Sequence, residues 1–224
     1  SDLDPAGADI VFSGSLIDTT AGGTTGAGSI SLTSGGNDDT MNLTSNLTLR
    51  TAGAGNDDAG ITIGLQLDAT ANETLTINAD DGGGDGDGDV DINAALGGSG
   101  VLGLLDINAD QVTIDSNIDA LGIRVTAQTS IDIDGAAVLD INGVDSYFES
   151  ASIDDSNGGA TIIDSVTGGD MIFRGLANTN TIAIGDDANS DLDISDAAVD
   201  MVQSSVTNLE IGWDSAQVDA GGNN

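Results

Sequence analysis

Apolar and polar residues alternate along this chain in short bursts. Units with an apolar residue at each end and another residue between recur throughout, among them Ile30-Ser31-Leu32, Leu47-Thr48-Leu49, Ile61-Thr62-Ile63, Val112-Thr113-Ile114, Ile123-Arg124-Val125, Ile131-Asp132-Ile133 and Leu139-Asp140-Ile141. Ile182-Ala183-Ile184, Leu192-Asp193-Ile194 and Leu209-Glu210-Ile211 continue the pattern into the C-terminal third. A period of two predicts short strands, each with one buried face. Gly, Asn, Asp and Ser fill the gaps, and these residues accept the left-handed corners that turns demand. The only proline is Pro5, which fits a sheet whose strands need their ladder donors. Helix is scarce: residues 196–202 read either as a short helix with Ser195 as N-cap or as a variant strand pair.

A phrase also returns at a fixed interval. Leu75-Thr76-Ile77-Asn78-Ala79-Asp80, Val90-Asp91-Ile92-Asn93-Ala94-Ala95 and Leu105-Asp106-Ile107-Asn108-Ala109-Asp110 place Ile77, Ile92 and Ile107 at 15-residue steps. A unit that short cannot bury a core alone and must stack on its neighbours. The expectation is an all-β chain, a parallel β-helix (β-solenoid) forming one domain over residues 1–224. A mean of roughly 17 residues per coil gives about 13 coils, and a rod roughly 60 Å long at strand-to-strand spacing. Residues 143–175 are the least regular; Tyr147-Phe148 there predicts a wider coil or an aromatic stack in the core.

Charge narrows the choice of partners. The chain carries 38 acidic residues against 3 basic ones, has no His, and has a formal charge of −35. Nucleic acid is excluded as a partner, because phosphate binding needs clustered Lys and Arg. Anionic membrane surfaces are excluded on the same ground. No apolar stretch is long enough to span a bilayer, so no membrane insertion is expected. Metal cations and basic proteins remain as counter-charges. With 38% hydrophobic residues in a regular pattern, the chain reads as folded rather than disordered.

The phrases Thr179-Asn180-Thr181-Ile182-Ala183-Ile184-Gly185, Leu192-Asp193-Ile194-Ser195-Asp196 and Val206-Thr207-Asn208-Leu209-Glu210-Ile211-Gly212 resemble the repeats of giant filamentous-haemagglutinin-like surface proteins. That resemblance implies a right-handed parallel β-helix, secretion to the cell surface, and a role in adhesion or in an extracellular fibre. The Asn-Pro motifs of that family's secretion domain do not occur here, and Ser1-Asp2-Leu3 reads as a processed start or an excised fragment. No polar cap is visible in residues 1–7 or 221–224, which predicts pairing with a second copy or with neighbouring repeats of a longer chain.

Among candidate sites, the densest is the tract of residues 80–91. Asp81, Asp85, Asp87, Asp89 and Asp91, spaced by glycine, can wrap a hard oxygen-loving cation, with Ca²⁺ the expected one. It resembles the Gly-Asp repeats of calcium β-rolls, with Gly88 standing where that pattern wants Asp. The alternative is a solvated acidic loop. The pairs Asp38-Asp39 and Asp57-Asp58, with Asp154-Asp155 and Asp186-Asp187, form a second set. Stacked about 5 Å apart, such carboxylates repel by roughly 1 kcal/mol per pair in water, so either cations bridge them or the turns splay. Adaptation to high salt would produce the same composition.

An enzyme is not expected. There is no His to activate a serine, and with so many aspartates a chance carboxylate pair carries no information. A carbohydrate-active enzyme would need a deep groove. A carbohydrate- or host-protein-binding face would need an aromatic or polar patch that the sequence does not locate.

Overall fold

The computed structural model describes residues 10–20, 27–34, 40–52, 59–80, 88–134, 137–155, 162–165, 168–176, 182–185 and 192–212. Twenty strands and one short helix form there. The chain deals its strands in rotation onto three ladders. β1 (Ile10–Phe12), β2 (Leu16–Asp18) and β3 (Ile30–Thr33) start the first, second and third ladders. β4 (Thr40–Leu43), β5 (Leu47–Arg50) and β6 (Ile61–Gly64) pair with them in the same order. β7 (Gln66–Ala69), β8 (Thr74–Asn78) and β9 (Val90–Ile92) make the next round.

In the fourth round the first ladder narrows to a bridge through Leu96. β10 (Leu104–Ile114) then runs through both other ladders in one piece. The fifth round is β11 (Ile118–Ala120) and the equally long β12 (Ile123–Ile133). β13 (Val138–Ile141), β14 (Ser146–Glu149) and β15 (Ser152–Asp154) follow. The seventh round holds β16 (Ile162–Asp164), β17 (Asp170–Arg174), β18 (Ile182–Ile184) and β19 (Leu192–Ile194). Here order departs from sequence, because β19 sits between β15 and the later-stacked β18. After the helix α1 (Asp196–Asp200), Val202 bridges to Ile163 and β20 (Asn208–Ile211) pairs with β17. Every pairing is parallel, and the arrangement is compatible with a β-solenoid.

The core follows from the alternation. Leu47, Leu75, Leu105 and Ile123 stand in register on successive rungs of the second ladder, and Leu49, Ile77, Ile107, Val125, Phe148 and Phe173 form the next column. On the third ladder the columns are Ile61–Val90–Val112–Ile131–Ile153 and Ile63–Ile92–Ile114–Ile133. All of these side chains are buried. Apolar residues stack on apolar residues in continuous columns, at the spacing of the strands. The expected aromatic stack is there: the Phe148 and Phe173 rings lie 5.9 Å apart and 10° from parallel.

The pairing corrects two expectations. The 15-residue interval is not the distance between stacked strands: Ile77 pairs with Ile107, one full round away, while Ile92 lies on the third ladder between Ile63 and Ile114. The longest ladder is accordingly eight strands deep among the described residues, not thirteen. Seven steps of about 4.8 Å give a stack about 34 Å long. The helix reading of residues 196–202 holds over Asp196–Asp200, with the Ser195 hydroxyl accepting from the Ala198 N–H at 3.0 Å.

At the narrowed fourth round, Gly97 has φ +79°, and a methyl group there would run into the Asp119 carbonyl. The left-handed backbone alone costs a non-glycine residue about 1–2 kcal/mol. Gly97→Ala should therefore destabilise the fold by about 2–4 kcal/mol, read as a lower denaturant midpoint with unchanged slope. An unchanged midpoint would mean that the bridge at Leu96 yields without cost.

Candidate functional site

The same alternation that sends isoleucines inward sends the intervening residues out, so each ladder carries outward columns. On the first ladder these hold Asn42 and Asp68, then Asp119, Asp140 and Asp164 on three consecutive rungs. On the third ladder the outward column runs Ser31, Thr62, Asp91, Thr113, Asp132, Asp154. Asp115 and Asp134 follow at the ends of β10 and β12, held by Asp115 N–H donating to the Ile92 carbonyl and Asp134 N–H to that of Ile114, both at 2.9 Å.

These columns strain electrostatically. Burial, reinforced by Asp134, Asp91 and Asp132, pushes the Asp115 carboxyl above its ordinary 3.8. Burial and then Asp140 push Asp119 up, against an opposing hydrogen bond donated by the Asn142 amide at 2.9 Å. Among the described residues, no three carboxylates converge closely enough to hold one metal ion.

Of the acidic tract, Asp89 and Asp91 lie within the described residues. The Asp89 carbonyl accepts from the Ile61 N–H at 2.8 Å, and Asp91 sits outward between Thr62 and Thr113. Asp81, Asp85 and Asp87 lie outside them, as do Asp38, Asp39, Asp57, Asp58, Asp186 and Asp187. Asp154-Asp155 does not act as a pair. The period of two sends Asp154 outward in register with Asp132 and turns Asp155 inward, where it is buried and its Oδ1 has no hydrogen-bond partner.

The second ladder is different, and sequence reasoning missed it. Its outward columns are Leu16–Thr48–Thr76–Asp106–Arg124–Tyr147–Ile172–Glu210 and Asp18–Arg50–Asn78–Asn108–Thr126–Glu149–Arg174. All three arginines of the chain stand on this one face. Arg50 meets Asp18 at 2.7 Å and Arg174 meets Glu149 at 2.6 Å. The Arg174 guanidinium lies 4.0 Å from the Tyr147 ring centre, with Arg124 at 5.9 Å. Burial pushes Asp106 up while Arg124 pulls it down. The signal was in the sequence: each arginine directly follows a buried apolar strand residue, Leu49, Ile123 or Phe173, which assigns it a face once the ladders are known.

Set against known families, curated proteins and solved structures, the chain finds no match.

The raised carboxyls predict a pH optimum. Asp115, Asp119 and Asp106 ionise at a cost in the folded state, so acidification through their raised folded values adds stability until the unfolded chain also protonates near 3.8. Two groups work the other way. For Glu73, burial raises the value, but hydrogen bonds from Ala71 N–H and Thr70 outweigh it and hold it below 4.5. Bonds from the Thr20 hydroxyl and N–H hold Asp18 below 3.8. Stability they contribute is lost as pH falls through those depressed values. Denaturant midpoints should rise as pH falls from neutral toward the ordinary carboxylate range and fall below it. Asp119→Asn should raise the neutral-pH value by about half a kcal/mol, small because the carboxylate is largely solvated, and should flatten the rise. A midpoint that falls steadily on acidification would contradict this.

Proposed function

We propose that the chain is a right-handed β-solenoid serving as a structural segment of an extracellular, cell-surface fibre or adhesin, continued end to end by further rungs. Right-handed connection between parallel strands of one sheet is the strong general preference. The observation that carries the fibre reading is where the exposed apolar side chains sit. Among the described residues Val11 (66% exposed) and Leu16 (53%) lie on the first rung and Ile182 (41%), Ile184 (57%) and Ile211 (36%) on the last, while Val144 (39%), at a corner between β13 and β14, is the exception. Ile182 and Ile184 are in register with buried Leu192 and Ile194, and Ile211 with buried Phe173. The core columns therefore run open at that end, beside strand edges with no further partner among the described residues, and such edges accept another parallel strand. The next rung comes from a second copy or from neighbouring repeats. Association of this kind is heterologous and does not close, so it produces filaments.

Calcium enters as the counter-ion for the aspartate columns. Carboxylates one rung apart repel, and a divalent cation between them relieves the repulsion while binding the folded state alone.

Particle length should grow with protein concentration, and Ile184→Asp should weaken growth by at least about tenfold by placing a charge on the contact. Electron microscopy with sedimentation velocity reads this directly; a chain that stays monomeric at high concentration with calcium present sinks the fibre reading. Separately, the melting temperature should rise in millimolar calcium relative to chelator at matched ionic strength. Equal stabilisation by sodium chloride alone would reduce calcium to charge screening.

A further inference from the structure

The concentration of cations on one face limits how two of these molecules can meet side by side. Along the outward columns of the first ladder stand Asp119, Asp140 and Asp164, and along those of the third Asp91, Asp132 and Asp154, with no cation on either. Burying such columns against another surface strips water from uncompensated carboxylates, which is prohibitive. Along the second ladder four acids, Asp18, Asp106, Glu149 and Glu210, face three arginines, and two of the acids are already in ion pairs. The rest of that face is Thr48, Thr76, Asn78, Asn108, Thr126, Tyr147 and the buried Ile172, with Leu16 exposed at one end.

We propose that this second-ladder face is a lateral docking surface for a second copy of the chain, the two stacks lying side by side with these faces together. The occupant follows from charge. On a chain of net charge −35, this near-neutral face is the approach along which two copies bring together matched rather than unmatched charge. The area sets the strength: a face about 34 Å by 15 Å buries roughly 1,000 Å² in total, the low end for a specific pair. A single chain therefore pairs weakly. Stacks joined end to end multiply the contact, so lateral pairing strengthens with length.

The test separates width from length. Mass per unit length and cross-sectional radius are measured by small-angle scattering and sedimentation equilibrium on the whole chain, at low salt and at about 0.5 M sodium chloride, where long-range repulsion is screened. The cross-section should double at high salt and high concentration. Thr48→Asp, on the second rung of the docking columns, should weaken this pairing about tenfold, with Thr76→Asp one rung on as an independent second variant. Ser31→Asp adds the same charge to the third ladder and should leave pairing unchanged; matched melting curves establish that each variant folds. A cross-section that stays that of one stack under all conditions overturns the proposal, and so does equal weakening by Ser31→Asp. Retention on an insoluble neutral polysaccharide that Thr48→Asp abolishes, without any pairing of copies, overturns it in favour of a glycan as occupant. Because end-to-end growth changes length and not width, its presence or absence leaves this readout untouched.

Discussion

A parallel ladder satisfies a strand's backbone only while another strand lies on each side. That requirement governs the rest of the molecule. Among the described residues no strand has a hairpin partner, so each must wait a round of chain before its neighbour arrives. Register then does two things at once. It stacks Leu47 on Leu75 on Leu105 inside, and it stacks Asp119 on Asp140 on Asp164 outside. The apolar column and the charged column are the two sides of a single constraint, and the stability of the first carries the repulsion of the second.

How that repulsion is distributed gives the molecule its sidedness. Two ladders turn unmatched carboxylates to solvent, while the third gathers Arg50, Arg124 and Arg174 beside Asp18, Asp106 and Glu149. Tyr147 lies between two of these guanidiniums, an arrangement in which cation–π attraction and the nearby ion pair support each other. The outermost described rungs differ from the three sides in exposing apolar side chains, Val11 and Leu16 on one and Ile182, Ile184 and Ile211 on the other. The proposed fibre, lengthened end to end and joined along one side, would use both kinds of surface.

Strands were legible because alternation is a local property, and Ile-Thr-Ile or Leu-Asp-Ile announces a buried face without reference to anything distant. Most of the inward positions followed for the same reason, but Ile182, Ile184 and Ile211 on the last described rung are exposed. The aromatic stack and the Ser195 cap were legible too, each from a few adjacent residues. The number of rungs was not. The repeat Ile77–Ile92–Ile107 is real, yet it alternates between ladders, and only hydrogen-bond partners reveal that Ile92 belongs with Ile63. The sidedness was equally hidden, since Arg50 and Arg174 are far apart in sequence and share a face only after the rounds are closed. Asp154-Asp155 shows the limit of reading pairs: adjacency in sequence put the two carboxyls on opposite sides of one strand.

The rounds are not equal in length. Ile30 reaches its partner Ile61 through much more chain than Leu105 needs to reach Ile123, yet both land in register. Register is set by the columns, and the corners absorb the difference. Closing a longer corner costs entropy that grows only with the logarithm of its length, about 0.6 kcal/mol for each doubling. The molecule can thus accept inserted segments at its corners while its rungs stay fixed, a scaffold on which new loops can be displayed without redesigning what holds them.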